Sequence, residues 1–218
     1  MRTDRQLQED VLKALEFDPS VDAAKIGVSV KHGVATLQGS VRSYFGKSTA
    51  ERIARHVYGI RAVANDVAVN LDGLTPRTDS QIAEAVANAL AWDAAVPLNA
   101  VKATVTDGWV ALNGTVDWQY QRTAAGRAID HLLGVKGVTN SIALKPHVSP
   151  ADVKAKIENA FKRSAEIDSA RVKVETRDGS VILTGTAKSL SERDEAERAA
   201  WAAPGVTRVD DHIAVSPY

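Results

Sequence analysis

Apolar residues recur along the chain in two rhythms that alternate. From Thr3 the spacing is helical, with Leu7, Val11, Leu12 and Leu15 on one stripe, and Ile26, Val28 and Val30 then follow with period two. The same succession begins again at Thr78, with Ile82, Val86 and Leu90 and then Val101, Ala103 and Val105. It begins a third time at Ser149, with Val153, Ile157 and Phe161 and then Val172 and Val174. Thr3 to Val69, Thr78 to Leu144 and Ser149 to Val215 align without a gap, at offsets of 75 and then 71 residues. Gly33, Gly108 and Gly179 coincide, as do Gly39, Gly114 and Gly185, and Gly59, Gly134 and Gly205. Self-similarity at this period means that each copy is one supersecondary unit.

Each unit predicts five elements. Thr3 with Gln6 and Thr78 with Gln81 place a hydroxyl and an acceptor three residues apart, the pattern of a capping box. Ser149 with Asp152 is a shorter-armed version, with Pro150 at the first helical position. The first helix ends near Asp18-Pro19 in one copy and near Asp93 in the next. Lys31-His32-Gly33, Thr106-Asp107-Gly108 and Arg177-Asp178-Gly179 predict tight hairpin turns, and Val34–Val41, Trp109–Val116 and Ser180–Ala187 the returning strands. Gly39 and its counterparts stand on the inward face of those strands, which predicts a helix packed close against the sheet there. A second helix follows over Lys47 to Tyr58, Arg122 to Leu133 and Ser191 to Ala203, then a glycine cap and a last strand near Ala64–Asn70, Thr139–Leu144 and Arg208–Val215. A strand, a crossover helix and a strand in one sheet run parallel. The fold class is therefore α+β: three tandem helix-strand-strand-helix-strand units, each a small mixed three-stranded sheet with two helices on one face. The expected domains are 1–71, 76–146 and 147–218, joined by linkers short enough to imply fixed packing through the uncovered sheet faces.

Composition removes several classes of function. Lys and Arg balance Asp and Glu at 27 each, so no global field draws the chain to nucleic acid or an anionic membrane. With no Cys, thiol catalysis, disulfides and Cys-ligated metals are excluded, and a lipid-anchored N-terminus is not expected. The opening MRTDRQLQEDVLKAL reads as an amphipathic helix rather than a signal peptide. As written the chain is expected in the cytoplasm, or in the periplasm if a leader has been removed.

The run Val-x-Val-x-x-Gly-x-(Ala/Val)-x-Leu-x-Gly-x-(Val/Ala), an Arg/Ala-rich helix, and Gly-Val-x-x-Val-x-Asn/Asp-x-(Ile/Val)-x-Val together resemble the BON domain. That family takes its name from an osmotically induced bacterial periplasmic protein and nodulation proteins. The match covers Ile26 to Val69, Val101 to Leu144 and Val172 to Val215, and with the preceding helices nearly the whole chain. The resemblance implies the same helix-strand-strand-helix-strand unit and a non-enzymatic role, attachment to phospholipid membranes or envelope components in osmotic or envelope stress. Most such proteins are secreted or lipidated, and this sequence departs from them in showing no leader.

Candidate chemistry is sparse. His56 and His131 share one repeat position, which is Ala202 in the third copy; His32 falls in a turn, His147 in a linker, and His212 is the fifth histidine. No His-x-x-x-His pair, phosphate loop or nucleophile elbow occurs, so no catalytic residue, metal site or cofactor is expected. Glu192, Asp194, Glu195 and Glu197 interleave with Arg193 and Arg198, the pattern of surface pairing, and Asp210-Asp211 reads as turn chemistry. The aromatics are more informative: three of the four Trp, Trp92, Trp109 and Trp118, lie in the second unit, and Tyr120 follows. Trp109 replaces Val34 and Ser180, and Trp118 replaces Ser43 and Ser189. Either the second unit is buried between its neighbours, or Trp109, Trp118 and Tyr120 meet a lipid interface or a partner. Trp201 flanks the third unit's Ala stripe and could cover a seam between units. Lys154, Lys156, Lys162 and Arg163 form a basic stripe without a basic field around it, so nucleic acid is not an expected partner. The expected partner is membrane phospholipid or another protein. The alternative role is a cytoplasmic interaction scaffold or chaperone-like protein that binds through its uncovered sheets.

Overall fold

The computed structural model describes residues 2–71, 77–145, 153–164 and 167–216. The first unit runs α1 (Asp4–Phe17), β1 (Ile26–Lys31), β2 (Val34–Val41), α2 (Tyr44–His56) and β3 (Ala62–Val69). The second runs α3 (Asp79–Trp92), β4 (Val101–Thr106), β5 (Trp109–Val116), α4 (Gln119–Asp130) and β6 (Gly137–Leu144). The third runs α5 (Val153–Arg163), β7 (Val172–Arg177), β8 (Ser180–Ala187), α6 (Leu190–Trp201) and β9 (Arg208–Val215).

Both predicted capping boxes are made. The hydroxyl of Thr3 accepts from Gln6 N–H while the Gln6 side chain accepts from Thr3 N–H, and Thr78 and Gln81 repeat the exchange. The cap expected at Ser149, Pro150 and Asp152, and the linker His147, lie outside the described residues. An acid at the first helical position does a second job. The Asp4 carboxylate accepts from His32 N–H (2.7 Å) and Gly33 N–H (3.0 Å), and Asp79 accepts from Asp107 N–H (2.8 Å) and Gly108 N–H (2.9 Å). These turn donors hold the Asp4 carboxyl below its ordinary range. The turns themselves need positive φ at both central residues, as His32 (52°) and Gly33 (76°) show.

In every unit the middle strand pairs antiparallel with the first and parallel with the third, so each sheet is mixed and its two edges are the first and last strands. Both helices cover one face. In the first unit Leu7, Val11 and Leu15 of α1 and Ala50 and Ala54 of α2 pack with Ala35, Leu37 and Val41 of β2.

Three expectations need correction. The second helices begin earlier than the apolar stripe suggested, at Tyr44, Gln119 and Leu190. The hydroxyls of Ser43 and Ser189 are their N-caps, accepting from Gly46 N–H and Glu192 N–H at 3.1 Å each. The strand glycines do not make room for a helix. A Cβ on Gly39 (φ 120°) would fall 2.0 Å from the Lys25 carbonyl oxygen, and one on Gly114 (φ 147°) 2.1 Å from that of Ala100, so the close approach is by the backbone entering the neighbouring strand. Among the described residues the uncovered sheet face of the first unit does not serve as a junction either. That face carries Gly27, Ser29, Val34 and Gln38, all exposed and so covered by no neighbouring unit.

The junctions form at the second helices instead, where the apolar side chains are. Leu190 and Val215 of the third unit enter the first unit's core, and Tyr44 of the first packs on the second unit's core. Phe45 lies against the His131 ring with centroids 4.3 Å apart. The Arg55 guanidinium grips the Asp194 carboxylate with both Nε (3.3 Å) and Nη2 (2.5 Å). Burial raises the Tyr44 hydroxyl's pKa, with Asp130 and Glu51 adding to it and the Val138 N–H opposing, and burial also raises that of the Asp130 carboxyl.

Candidate functional site

The acid cluster of the third unit is consumed by structure. Glu192 is buried, its two oxygens accepting from Asp168 N–H (2.8 Å) and Lys188 N–H (2.6 Å). Asp194 holds Arg55, Glu195 holds Arg198, and Glu197 accepts from the Trp201 indole N–H at 3.2 Å. Asp211 is a strand residue rather than turn chemistry, and accepts from Arg193 Nε at 2.6 Å. Among the described residues no group of three His, Asp or Glu is placed to hold a metal ion. The His56 ring pairs with the Arg52 carbonyl at 2.7 Å, and His131 is held at the first junction by Phe45. The two histidines sharing a repeat position thus sit in different surroundings.

The aromatics of the second unit are on the surface, with Trp109 55% and Tyr120 60% exposed. They do not form one cluster. Trp109 opens β5 opposite Gly137 of β6, and its ring lies so close over that glycine that a Cβ there would fall 2.3 Å from it. Trp118 and Tyr120 follow the other end of β5, an eight-residue strand that spans about 23 Å. The Asp79 clamp fixes the start of α3 to the hairpin at the Trp109 end, which puts Trp92, the last residue of α3, at the Trp118 end. Leu98, between α3 and β4, belongs to that end too.

Trp92 (89% exposed), Leu98 (77%), Trp118 and Tyr120 therefore share one end of the second unit. The third unit has Arg163, Ser169, Ser189 and Ser191 at the same positions. In the first unit Phe17 matches Trp92 and is also exposed, whereas Phe45, which matches Tyr120, is spent on the junction with His131. Trp118 stands at the N-cap of α4, where an indole offers no oxygen; the Gln121 side chain takes the Asp117 and Trp118 N–H groups at 3.0 Å each. The helix start gives up a capping hydroxyl that both sister units keep. Trp201 is half-buried against its own unit's core.

The BON domain family model matches residues 3–70, 78–146 and 149–217. The chain belongs to the BON domain family. Its BON units are similar in sequence to osmotically-inducible protein Y of Escherichia coli (strain K12), at 32% identity over 148 residues, 65% of this chain and 73% of that one. Among solved structures, the chain aligns with CdsD, a structural protein of the type III secretion system of Chlamydia trachomatis. That alignment has 14% identity and a TM-score of 0.28 over 96% of this chain and 92% of that chain. The CdsD C-terminal domain gives 14% identity and a TM-score of 0.27, over 99% and 100% of the two chains. At these TM-scores the likeness carries no weight for arrangement or function. No helix among the described residues is long and apolar enough to cross a membrane.

Two members of the aromatic end were not among the expected contact residues: Trp92, counted only as one of the second unit's tryptophans, and Leu98. The signal was present at the end of the first helix, where Phe17 and Trp92 coincide beyond the last core position of the stripe.

Proposed function

We propose that this BON protein is a non-enzymatic, stress-related binding protein whose second unit attaches to phospholipid surface by one end. The observation that carries the reading is the exposed set Trp92, Leu98, Trp118 and Tyr120, set against Arg163, Ser169, Ser189 and Ser191 in the third unit. Amphipathic rings at a polar rim suit the boundary between headgroups and acyl chains, where the ring sheds water and its N–H or O–H keeps a partner. The ion pair Asp117–Lys145 (3.1 Å), from the same end of β5 and β6, supplies that rim. Family membership and the osmotically inducible relative support the stress context. Trp109 is assigned away from this surface, as cover for Gly137 at the opposite end.

Flotation of the intact protein with phosphatidylcholine vesicles and with vesicles containing phosphatidylglycerol tests the proposal. Recovery in the floating fraction with either composition supports it. Recovery only at the bottom of both gradients overturns it, and would favour the alternative of a scaffold or chaperone-like protein.

A further inference from the structure

The third unit carries a different surface. Between α5 and the edge strand β7 lies a groove of about 310 Å³, floored by Phe161, Val172 and Val174 and rimmed by Lys154, Glu158 and Lys162. The first unit shows what such an edge does with its unpaired backbone. There the Gln8 amide reaches from α1 and donates to the Val28 carbonyl at 2.8 Å, a group turned away from the β1–β2 ladder. The residue in Gln8's place is Lys154, and Val174 stands where Val28 does. Lys154 pairs instead with Glu158 (3.8 Å). Backbone groups alternate along an antiparallel strand, and the Arg171 carbonyl bonds toward β8 through Thr186 N–H. Val172, Val174 and Thr176 therefore turn their N–H and C=O groups to the open side, beside the groove.

Charge distinguishes this edge from its two counterparts. Helix α5 bears four cations and one carboxylate, whereas α1 bears two cations and four carboxylates, and α3 two carboxylates and no cation. Lys173 and Glu175 of β7 are adjacent outward charges of opposite sign and offset one another. The edge also stands clear of the junction, since the third unit meets the first through Leu190, Asp194 and Val215, on α6 and on β9 at the sheet's other edge.

We infer that the α5–β7 groove of the third unit binds an extended acidic peptide, which adds to β7 as a further strand and sets its carboxylates against Lys154 and Lys162. Main-chain bonds to Val172, Val174 and Thr176 give the affinity, and the helix charge selects the sign of the partner. The first and second units lack this combination, so one site per chain is expected. It is a separate surface from the aromatic end of the second unit.

Fluorescence anisotropy with fluorescein-labelled acetyl-EVEVEV-amide and acetyl-KVKVKV-amide on the full chain tests this. The acidic peptide is expected to bind, shifting the amide resonances of Val172, Val174 and Thr176 in a parallel NMR titration, and the basic peptide is not. Val174→Pro removes an outward N–H without touching the β7–β8 ladder, and should weaken binding at least about tenfold. The pair Lys154→Glu and Lys162→Glu, on the surface, should do the same and decides the matter if Val174→Pro fails to fold. Equal binding of the two peptides, undiminished binding by the folded variants, or shifts confined to other strands would overturn the inference. So would displacement of the acidic peptide by a single-stranded oligonucleotide at equal charge concentration, which would mark the helix as a general anion surface.

Discussion

Trp92→Ala separates binding from folding more cleanly than any other change in the second unit. The side chain is 89% exposed, so truncating it leaves the core intact and should move stability by no more than about 0.5 kcal/mol. Its ring presents up to about 250 Å². Complete burial of that area at about 25 cal/mol/Å² would contribute about 6 kcal/mol. A ring lying in the headgroup boundary with one face still wet realises about half, roughly 3 kcal/mol, or about a hundredfold in the partition constant. The assay is titration of the protein with vesicles that the intact chain binds, beside thermal unfolding of both proteins. A partition constant reduced by less than about threefold at unchanged stability would refute the assignment of Trp92 to the contact surface. Trp109→Ala, at the far end of β5, is the matched control and should leave partitioning unchanged.

Other consequences follow from the scaffold. Gly114→Ala places a Cβ against the Ala100 carbonyl at a φ of 147°. Backbone strain of about 1–3 kcal/mol plus that overlap approaches the whole stability of a unit this size, so hydrogen exchange should show the second unit opened. A double-mutant cycle on Arg55 and Asp194 should give a coupling of only about 0.5–1 kcal/mol, because both side chains are 37% exposed, and it should shrink in high salt. Asp130 and Asp4 should respond to pH with opposite signs. Burial raises the folded pKa of Asp130 above the ordinary 3.8, so its ionisation weakens the fold as pH rises through that interval. Asp130→Asn should therefore raise the melting temperature at neutral pH and change nothing once the pH is below about 3.8. The folded pKa of Asp4 is lowered by the His32 and Gly33 N–H groups, so its contribution is present above 3.8 and lost as the pH falls through the folded value. Asp4→Asn should lower the melting temperature at neutral pH, and the difference should vanish in strong acid.

Much of the fold was legible because local chemistry dictates it. Thr3, Thr78 and the paired glutamines announce caps, His32-Gly33 and Asp107-Gly108 announce turns, and the returning strands fall where the period-two pattern puts them. What the pattern misplaced depends on groups that periodicity does not describe. Gly39 sits on the inward register, yet its positive φ and the Lys25 carbonyl explain it, and that contact comes from a distant segment of backbone. Ser43 and Ser189 lie just past the returning strands and before the apolar stripe begins, and only their hydroxyl bonds show that they cap α2 and α6. The junctions were hidden because Tyr44, Phe45 and Leu190 occupy equivalent or adjacent repeat positions but use them differently, each on a neighbour rather than on its own core. The aromatic end was half legible. Trp118 and Tyr120 stand out as substitutions, but strand length alone separates Trp109 from them, and Trp92 joins them only once the Asp79 clamp fixes which way α3 points.

The central claim is that one end of the second unit, and not the other, enters the lipid boundary. Single-tryptophan proteins retaining only Trp92 or only Trp109, the remaining indoles replaced by Phe, can be bound to vesicles containing bromine-labelled acyl chains. The account predicts a blue shift and strong quenching for Trp92 and neither for Trp109. Equal quenching of the two, or quenching of Trp109 alone, would contradict it.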